Sequence, residues 1–157
     1  MLTYAFEQVE KAEVFKIAPT DTNYFAILFD PKKDEIDNIF VIEIFTVGGA
    51  TPPNEHSHAH EFFYVLEGEG IASSDGEEMP IKKGDALMLR PGSEHVVKNT
   101  GSSKLYTLTV MTPNQDFAEL IRSGERVSLD AEDLKVLTGK AAGCGKTPMP
   151  CRSAPRG

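Results

Sequence analysis

Tryptophan is absent from this sequence of 157 residues. No apolar run approaches the roughly 20 residues that a membrane-spanning helix needs. The opening stretch, MLTYAFEQVEKAEVFK, mixes acids with apolar residues and lacks the basic and hydrophobic regions of a signal peptide. These absences predict a cytoplasmic protein without a membrane partner.

Cysteine is scarce, and both copies, Cys144 and Cys151, lie near the carboxyl end. The Gly/Pro-rich segment around them contains too little apolar surface to order itself. We therefore predict one domain over residues 1–139 and a flexible basic tail over residues 140–157. Two reduced thiols are expected there, as in most cytosolic proteins. A redox switch or an auxiliary metal clip is the alternative.

Positive charge is also in short supply, with 16 Lys and Arg residues against 24 Asp and Glu residues and a net charge of −8. Four of the basic residues and none of the acids lie in the tail, so the rest of the chain carries −12. Phosphate backbones repel so acidic a body, which argues against a nucleic-acid partner.

Short β-rich runs separated by Gly, Pro, Asn and Asp fill the middle of the chain. They cover residues 25–29, 39–47, 62–66, 86–89, 95–98 and 105–111. Short strands at regular spacing predict an all-β sandwich or barrel, and the lack of an internal repeat predicts a single one.

Helical patterns occur only after these runs, within residues 114–138. The first places Phe117, Leu120 and Ile121 on one face. The second begins at an Asp130/Asp133 capping box and ends before a glycine. We expect both short helices to pack on the outside of the barrel.

The four histidines fall in two places: His56, His58 and His60 precede Glu61, and His95 follows much later. Alternate residues of a strand face one side, so the first three can project together into the interior. Buried imidazoles need partners, and a divalent metal is a partner that they can share. Imidazole with carboxylate suits Fe, Mn, Ni, Cu or Zn.

Around these residues the sequence resembles the cupin superfamily. Its first motif is matched by Gly49, His56, His58, Glu61 and Gly68, and its second motif by Gly84, Gly92, His95 and Asn99. With the flanking strands, the resemblance covers about residues 38–112. It implies a double-stranded β-helix, a jelly-roll-like barrel, here followed by short C-terminal helices.

The resemblance implies His56, His58, Glu61 and His95 as ligands of one divalent transition metal. The segment between His58 and Glu61 is one residue shorter than the motif, and His60 is therefore an alternative ligand. If His60 is not a ligand, it is the candidate catalytic base.

For function, the resemblance implies a metal-dependent enzyme of the dioxygenase, isomerase or decarboxylase type that acts on a small polar molecule. The alternative is a non-catalytic module that binds or senses a small ligand. Phe62, Tyr64 and Leu66 share the other face of their strand. There they predict either packing against the amino-terminal strands or the interface of a homodimer.

Overall fold

The computed structural model describes residues 2–140. Cys144, Cys151 and all but the first residue of the predicted tail lie outside this range, so the prediction of a flexible tail stays a prediction. Within the range, no helix combines the length and apolar character needed to cross a membrane.

The described residues form two antiparallel sheets, and the larger has seven strands: β1 (Glu13–Lys16), β2 (Asn23–Phe29), β3 (Ile39–Phe45), β4 (His60–Glu67), β7 (Ala86–Leu89), β9 (Leu105–Thr112) and β10 (Glu125–Arg126). Their order across the sheet is β10-β1-β2-β3-β9-β4-β7. The smaller sheet has the order β6-β5-β8, with β5 (Glu69–Ser74), β6 (Glu77–Lys82) and β8 (His95–Asn99). The predicted all-β jelly-roll fold is confirmed.

The six predicted runs correspond to β2, β3, β4, β7, β8 and β9. Sequence reasoning missed the β5–β6 hairpin, because β6 is exposed at every position except Ile81 and lacks an apolar face to signal it. Its turn does carry a signal: Asp75 and Gly76 adopt φ angles of 49° and 83°. Asp-Gly with both angles positive is a preferred two-residue hairpin turn.

The barrel interior contains two apolar clusters, and β3 contributes to both. Ile39 and Val41 pack in the first cluster, and Phe45 packs in the second. Glu43 has the same inward parity and lies between them, with 1% of its surface exposed. A carboxyl group is thereby held inside the barrel.

Within residues 2–140, three short α-helices accompany the sheets: α1 (Pro31–Asp34), α2 (Phe117–Arg122) and α3 (Ala131–Thr138). The predicted capping box of α3 is confirmed. The predicted buried face of α2 is partly wrong, since Ala118 and Ile121 are buried but Leu120 is 50% exposed. Docking of Ala118 and Ile121 against the first cluster turns Leu120 towards solvent.

Candidate metal centre

Three side chains of the predicted site meet at one point. Glu61 lies near the start of β4, His95 is the first residue of β8, and His56 lies in the loop before β4. The Oε2 atom of Glu61 is 3.0 Å from Nε2 of His56 and 2.8 Å from Nε2 of His95. Glu61 and His95 are buried, and His56 is half-buried. Two imidazoles thus converge on a single carboxylate oxygen.

Backbone hydrogen bonds between the two motifs hold the histidines in place. Asn54 and His95 each donate a backbone N–H to the other's carbonyl, at 3.2 and 2.9 Å. The N–H of Gly92 donates to the carbonyl of His56 at 2.8 Å. Gly92 has a φ of 81°, which favours glycine. The turn of the second motif therefore fixes the position of a histidine of the first.

The protonation of the group follows from burial and these contacts. Burial by itself raises the pKa of Glu61, but the hydrogen bonds from His56 and His95 outweigh it and leave this pKa below its usual value. Burial lowers the pKa of His95, but the hydrogen bond and charge of Glu61 outweigh it and leave this pKa above its usual value. Both residues are therefore stabilised in their charged forms.

The donor set fits a divalent transition metal. His95 Nδ1 lies 3.1 Å from the carbonyl of Ser93, which accepts its proton and leaves Nε2 to bind an ion. One ligand atom from each of His56, Glu61 and His95 lies within 4.8 Å of the others. Two imidazoles and one carboxylate are ligands that suit Fe, Mn, Ni, Cu or Zn.

His58 and His60 do not join this group in the structure. Residues 55–59 form a loop, so strand alternation does not apply to them, and the expectation that three histidines share a face is wrong. His58 is exposed, and its backbone N–H donates to Oε1 of the Gln115 side chain at 2.9 Å. His60 begins β4 with parity opposite to that of Glu61. The ligand roles of all five residues stay predictions.

A cavity of about 320 Å³ borders the group, and both His56 and Glu61 line it. Sequence reasoning missed a third functional candidate in its wall, Glu43. Asn23 Nδ2 donates to Oε1 of Glu43 at 2.9 Å, and the Thr109 hydroxyl donates to Oε2 at 3.0 Å. Burial, followed by the charge of Glu61, raises the pKa of Glu43 to about 8.

A signal for Glu43 is present in the sequence. It is the single charged residue in the run IFVIEIFTV, and it shares the parity of Ile39, Val41 and Phe45. A carboxylate inside a buried strand is costly unless it is partnered or protonated, so such a residue is a functional candidate.

Residues 41–111 match the model of the family described as "Cupin domain". An oxalate-binding protein of Thermotoga maritima is 34% identical over 64 residues, which are 41% of this chain and 53% of that protein. An uncharacterized protein of Methanocaldococcus jannaschii is 34% identical over 70 residues, 45% of this chain and 56% of that protein. The chain thus spans about half the length of the curated relatives it matches.

Solved structures show the same fold. A predicted oxalate decarboxylase of Thermotoga maritima aligns with a TM-score of 0.54 and 28% identity over 57% of this chain and 78% of that one. KdgF from Halomonas sp. aligns with a TM-score of 0.61 and 20% identity over 74% of this chain and 99% of that one, a likeness of fold alone. With its jelly-roll sheets, both sequence motifs and the match of residues 41–111 to the cupin-domain model, the described part of this chain has a cupin fold.

Proposed function

We propose that this protein is a metal-dependent enzyme that acts on a small molecule bound in the cavity beside His56 and Glu61. The proposal depends on one observation: Nε2 of His56 and Nε2 of His95 converge on one oxygen of Glu61 at the cavity wall. The motif adds His58 as a fourth ligand, which requires the loop over residues 55–59 to turn inward.

The choice of an enzyme over a binding module is supported by two carboxyl groups in different states. Glu61 has a lowered pKa and Glu43 a raised one, yet both line the same cavity. Carboxyl groups whose pKa values are pushed apart by their environments are typical of acid–base sites. In this proposal Glu43, rather than His60, carries a proton to or from the ligand.

A bound divalent metal would supply a Lewis acid that polarises a carbonyl or carboxyl oxygen of the substrate. The protein contributes the remaining functions. His56, Glu61 and His95 would hold the ion, Asn23 and Thr109 orient the carboxyl group of Glu43, and the largely apolar cavity wall would exclude water. Decarboxylation, isomerisation and dioxygenation are the reaction types that this arrangement suits.

The metal content of the purified full chain tests the site. We expect close to one transition-metal ion per chain by elemental analysis, and its loss in His95→Ala. His60→Ala is the matched control, because His60 faces away from Glu61, and it should retain the ion. His58→Ala decides the fourth ligand: lower affinity supports the motif set, and unchanged affinity restricts the set to three residues.

Two results would reject the proposed site. One is a protein that is purified without metal and does not bind added Fe²⁺, Mn²⁺, Ni²⁺ or Zn²⁺. The other is full metal occupancy in a folded His95→Ala variant. For the reaction itself, small acids, thiols and catechols should be screened for turnover and oxygen uptake. The His95→Ala protein provides the blank.

The oxalate-binding relative favours the alternative, a cupin that binds a small ligand without transforming it. The two functions differ in what Glu43 does. In an enzyme, Glu43→Gln abolishes turnover while metal content is retained. In a binding module, the same change alters affinity at most. Screening that yields a ligand but no product from the metal-loaded protein would support the binding module.

We also propose a homodimer that covers the outer face of β4 and β7. Phe62 pairs with Met88 in this part of the sheet, and Tyr64 pairs with Ala86. Tyr64 is 39% exposed and Met88 is 52% exposed. Large apolar side chains side by side on a sheet at its β7 edge favour contact with a second copy of the chain.

A further inference from the structure

The cavity beside the candidate metal group has a charge pattern that restricts its ligand. Its acidic lining residues are Asp21, Glu43 and Glu61, and among residues 2–140 no lysine or arginine lines it. Sites for small dianions usually supply cationic side chains or several hydrogen-bond donors. Within the described residues this wall offers no cationic side chain, and Asp21 adds a carboxylate to it.

Charge balance at the metal adds to this restriction. A divalent ion held by ionised Glu61 and two neutral imidazoles would have one positive charge left. A singly charged ligand would neutralise that charge, whereas a dianion would leave an uncompensated negative charge beside Asp21. An uncompensated charge in a poorly hydrated site is costly.

Apart from Asn23, Thr51 and Asn54, the rest of the cavity wall is apolar. Phe25 and Phe117 meet edge to face, with ring centroids 5.6 Å apart and an angle of 89° between the planes. Ile17, Pro52 and Leu120 extend this surface, and Leu120 remains 50% exposed. A volume of about 320 Å³ lies at the lower end of the range for small-molecule sites. It leaves room for a body beyond the metal-binding head.

We infer that the cavity selects a neutral or singly charged molecule, whose metal-binding head is joined to an apolar body, over a small dianion such as oxalate. This inference rests on the proposed metal site. The apolar body lies against Phe25, Phe117 and Leu120, and the head lies beside His56 and Glu61. The preference would separate this chain from its oxalate-binding relative.

The test uses the full chain loaded with Zn²⁺ and three probes: benzohydroxamate, acetohydroxamate and oxalate. The two hydroxamates share one chelating head and differ in the apolar body. We expect calorimetry, corrected for affinity to free Zn²⁺, to show benzohydroxamate binding at least about tenfold more tightly than acetohydroxamate. After the same correction, oxalate should bind no more tightly than acetohydroxamate.

Variants at the cavity mouth locate the effect. Leu120→Ala should lower the affinity for benzohydroxamate by about fivefold and leave the affinity for acetohydroxamate unchanged. Met79→Ala is the control, because Met79 is 52% exposed and lies on β6, outside the lining of this cavity. It should change neither affinity.

The outcomes separate the two proposals. If the wild-type chain does not bind Zn²⁺, or if the His95→Ala variant binds Zn²⁺ as tightly as the wild type, the proposed metal site is wrong. If Zn²⁺ binds through His95 but the two hydroxamates bind alike, or oxalate binds best, the inference about the ligand is wrong while the metal site stands.

Discussion

At the scale of single residues, two glutamates in one cavity have opposite properties. Glu61 contacts two imidazoles, which stabilise its charge and lower its pKa. Glu43 is surrounded by the barrel interior, and its hydrogen bonds from Asn23 and Thr109 do not offset the cost of burial. The same side chain is therefore an anion at one position and an acid at the other.

The state of Glu43 predicts a pH dependence of stability in the metal-free protein. Its pKa is about 8 in the folded chain, against an ordinary value of 4.5. Between these values the unfolded chain loses a proton that the folded chain keeps. The contribution of Glu43 to the free energy of unfolding is therefore fully present below about pH 4.5, and it is lost as the pH rises towards 8. The loss should amount to a few kcal/mol, because one pKa unit corresponds to about 1.4 kcal/mol.

Urea unfolding with a chelator at pH 5, 6.5 and 8 measures this effect. Glu43→Gln mimics the neutral acid, so its free energy of unfolding should rise relative to that of the wild type as the pH increases. Glu78→Gln, at an exposed position, serves as the control and should follow the wild type. A constant difference between Glu43→Gln and the wild type at all three values would show that Glu43 does not titrate as described.

At the scale of secondary-structure elements, buried polar contacts attach the peripheral segments to the barrel. Asp133 of α3 is fully buried and accepts hydrogen bonds from the hydroxyls of Tyr24 and Tyr106, at 2.6 and 2.7 Å. Lys104 Nζ pairs with it at 3.0 Å. The side-chain amide of Asn99 donates to the backbone carbonyls of Phe45, Thr46 and Ser103, a structural role.

Removal of the Asp133 carboxylate should detach α3 from the barrel. Asp133→Ala leaves Lys104 and two tyrosine hydroxyls without their shared acceptor. Loss of one partner from a buried ion pair typically costs about 3 kcal/mol or more. Chemical unfolding followed by circular dichroism should show this loss. Glu132→Ala changes an exposed residue of the same helix and should cost well under ~1 kcal/mol. Equal stability of the two variants would contradict a structural role for Asp133.

At the scale of the whole molecule, the two faces of the large sheet differ in cover. The inner face packs into the barrel core, and the outer face of β1, β2 and β3 is covered by α3 and the 3₁₀ helix Val9–Lys11 with its neighbours. The cover is thinner over β4 and β7, where Tyr64 and Met88 are exposed. This asymmetry is the basis of the proposed dimer.

Sedimentation equilibrium of the full chain should therefore give twice the mass of one chain. Tyr64→Glu combined with Met88→Glu places like charges at the proposed interface and should give a monomer with unchanged metal content. The control is Met79→Glu, because Met79 lies on β6 and is as exposed as Met88. A wild-type monomer, or a double variant that remains dimeric, would show that this face is not the interface.

Much of the architecture could be predicted from local sequence. Short β-rich runs bounded by turn residues identify six strands, the Asp130/Asp133 pair and Gly139 mark both ends of α3, and Gly92 marks the turn before β8. These features depend on neighbours in the chain, through side-chain alternation, capping bonds and the left-handed backbone that glycine tolerates.

The sequence by itself determined the fold class and the residue types of the candidate site. Only the tertiary structure decided which of them meet. His56 joins Glu61 and His95 because its carbonyl bonds to Gly92, and His58 stays outside where Gln115 holds the loop. Glu43 reaches the same cavity because β2, β3 and β9 are adjacent, which brings Asn23 and Thr109 to its carboxyl group. Contacts between residues so far apart in the chain depend on sheet order and loop direction, which no local pattern encodes.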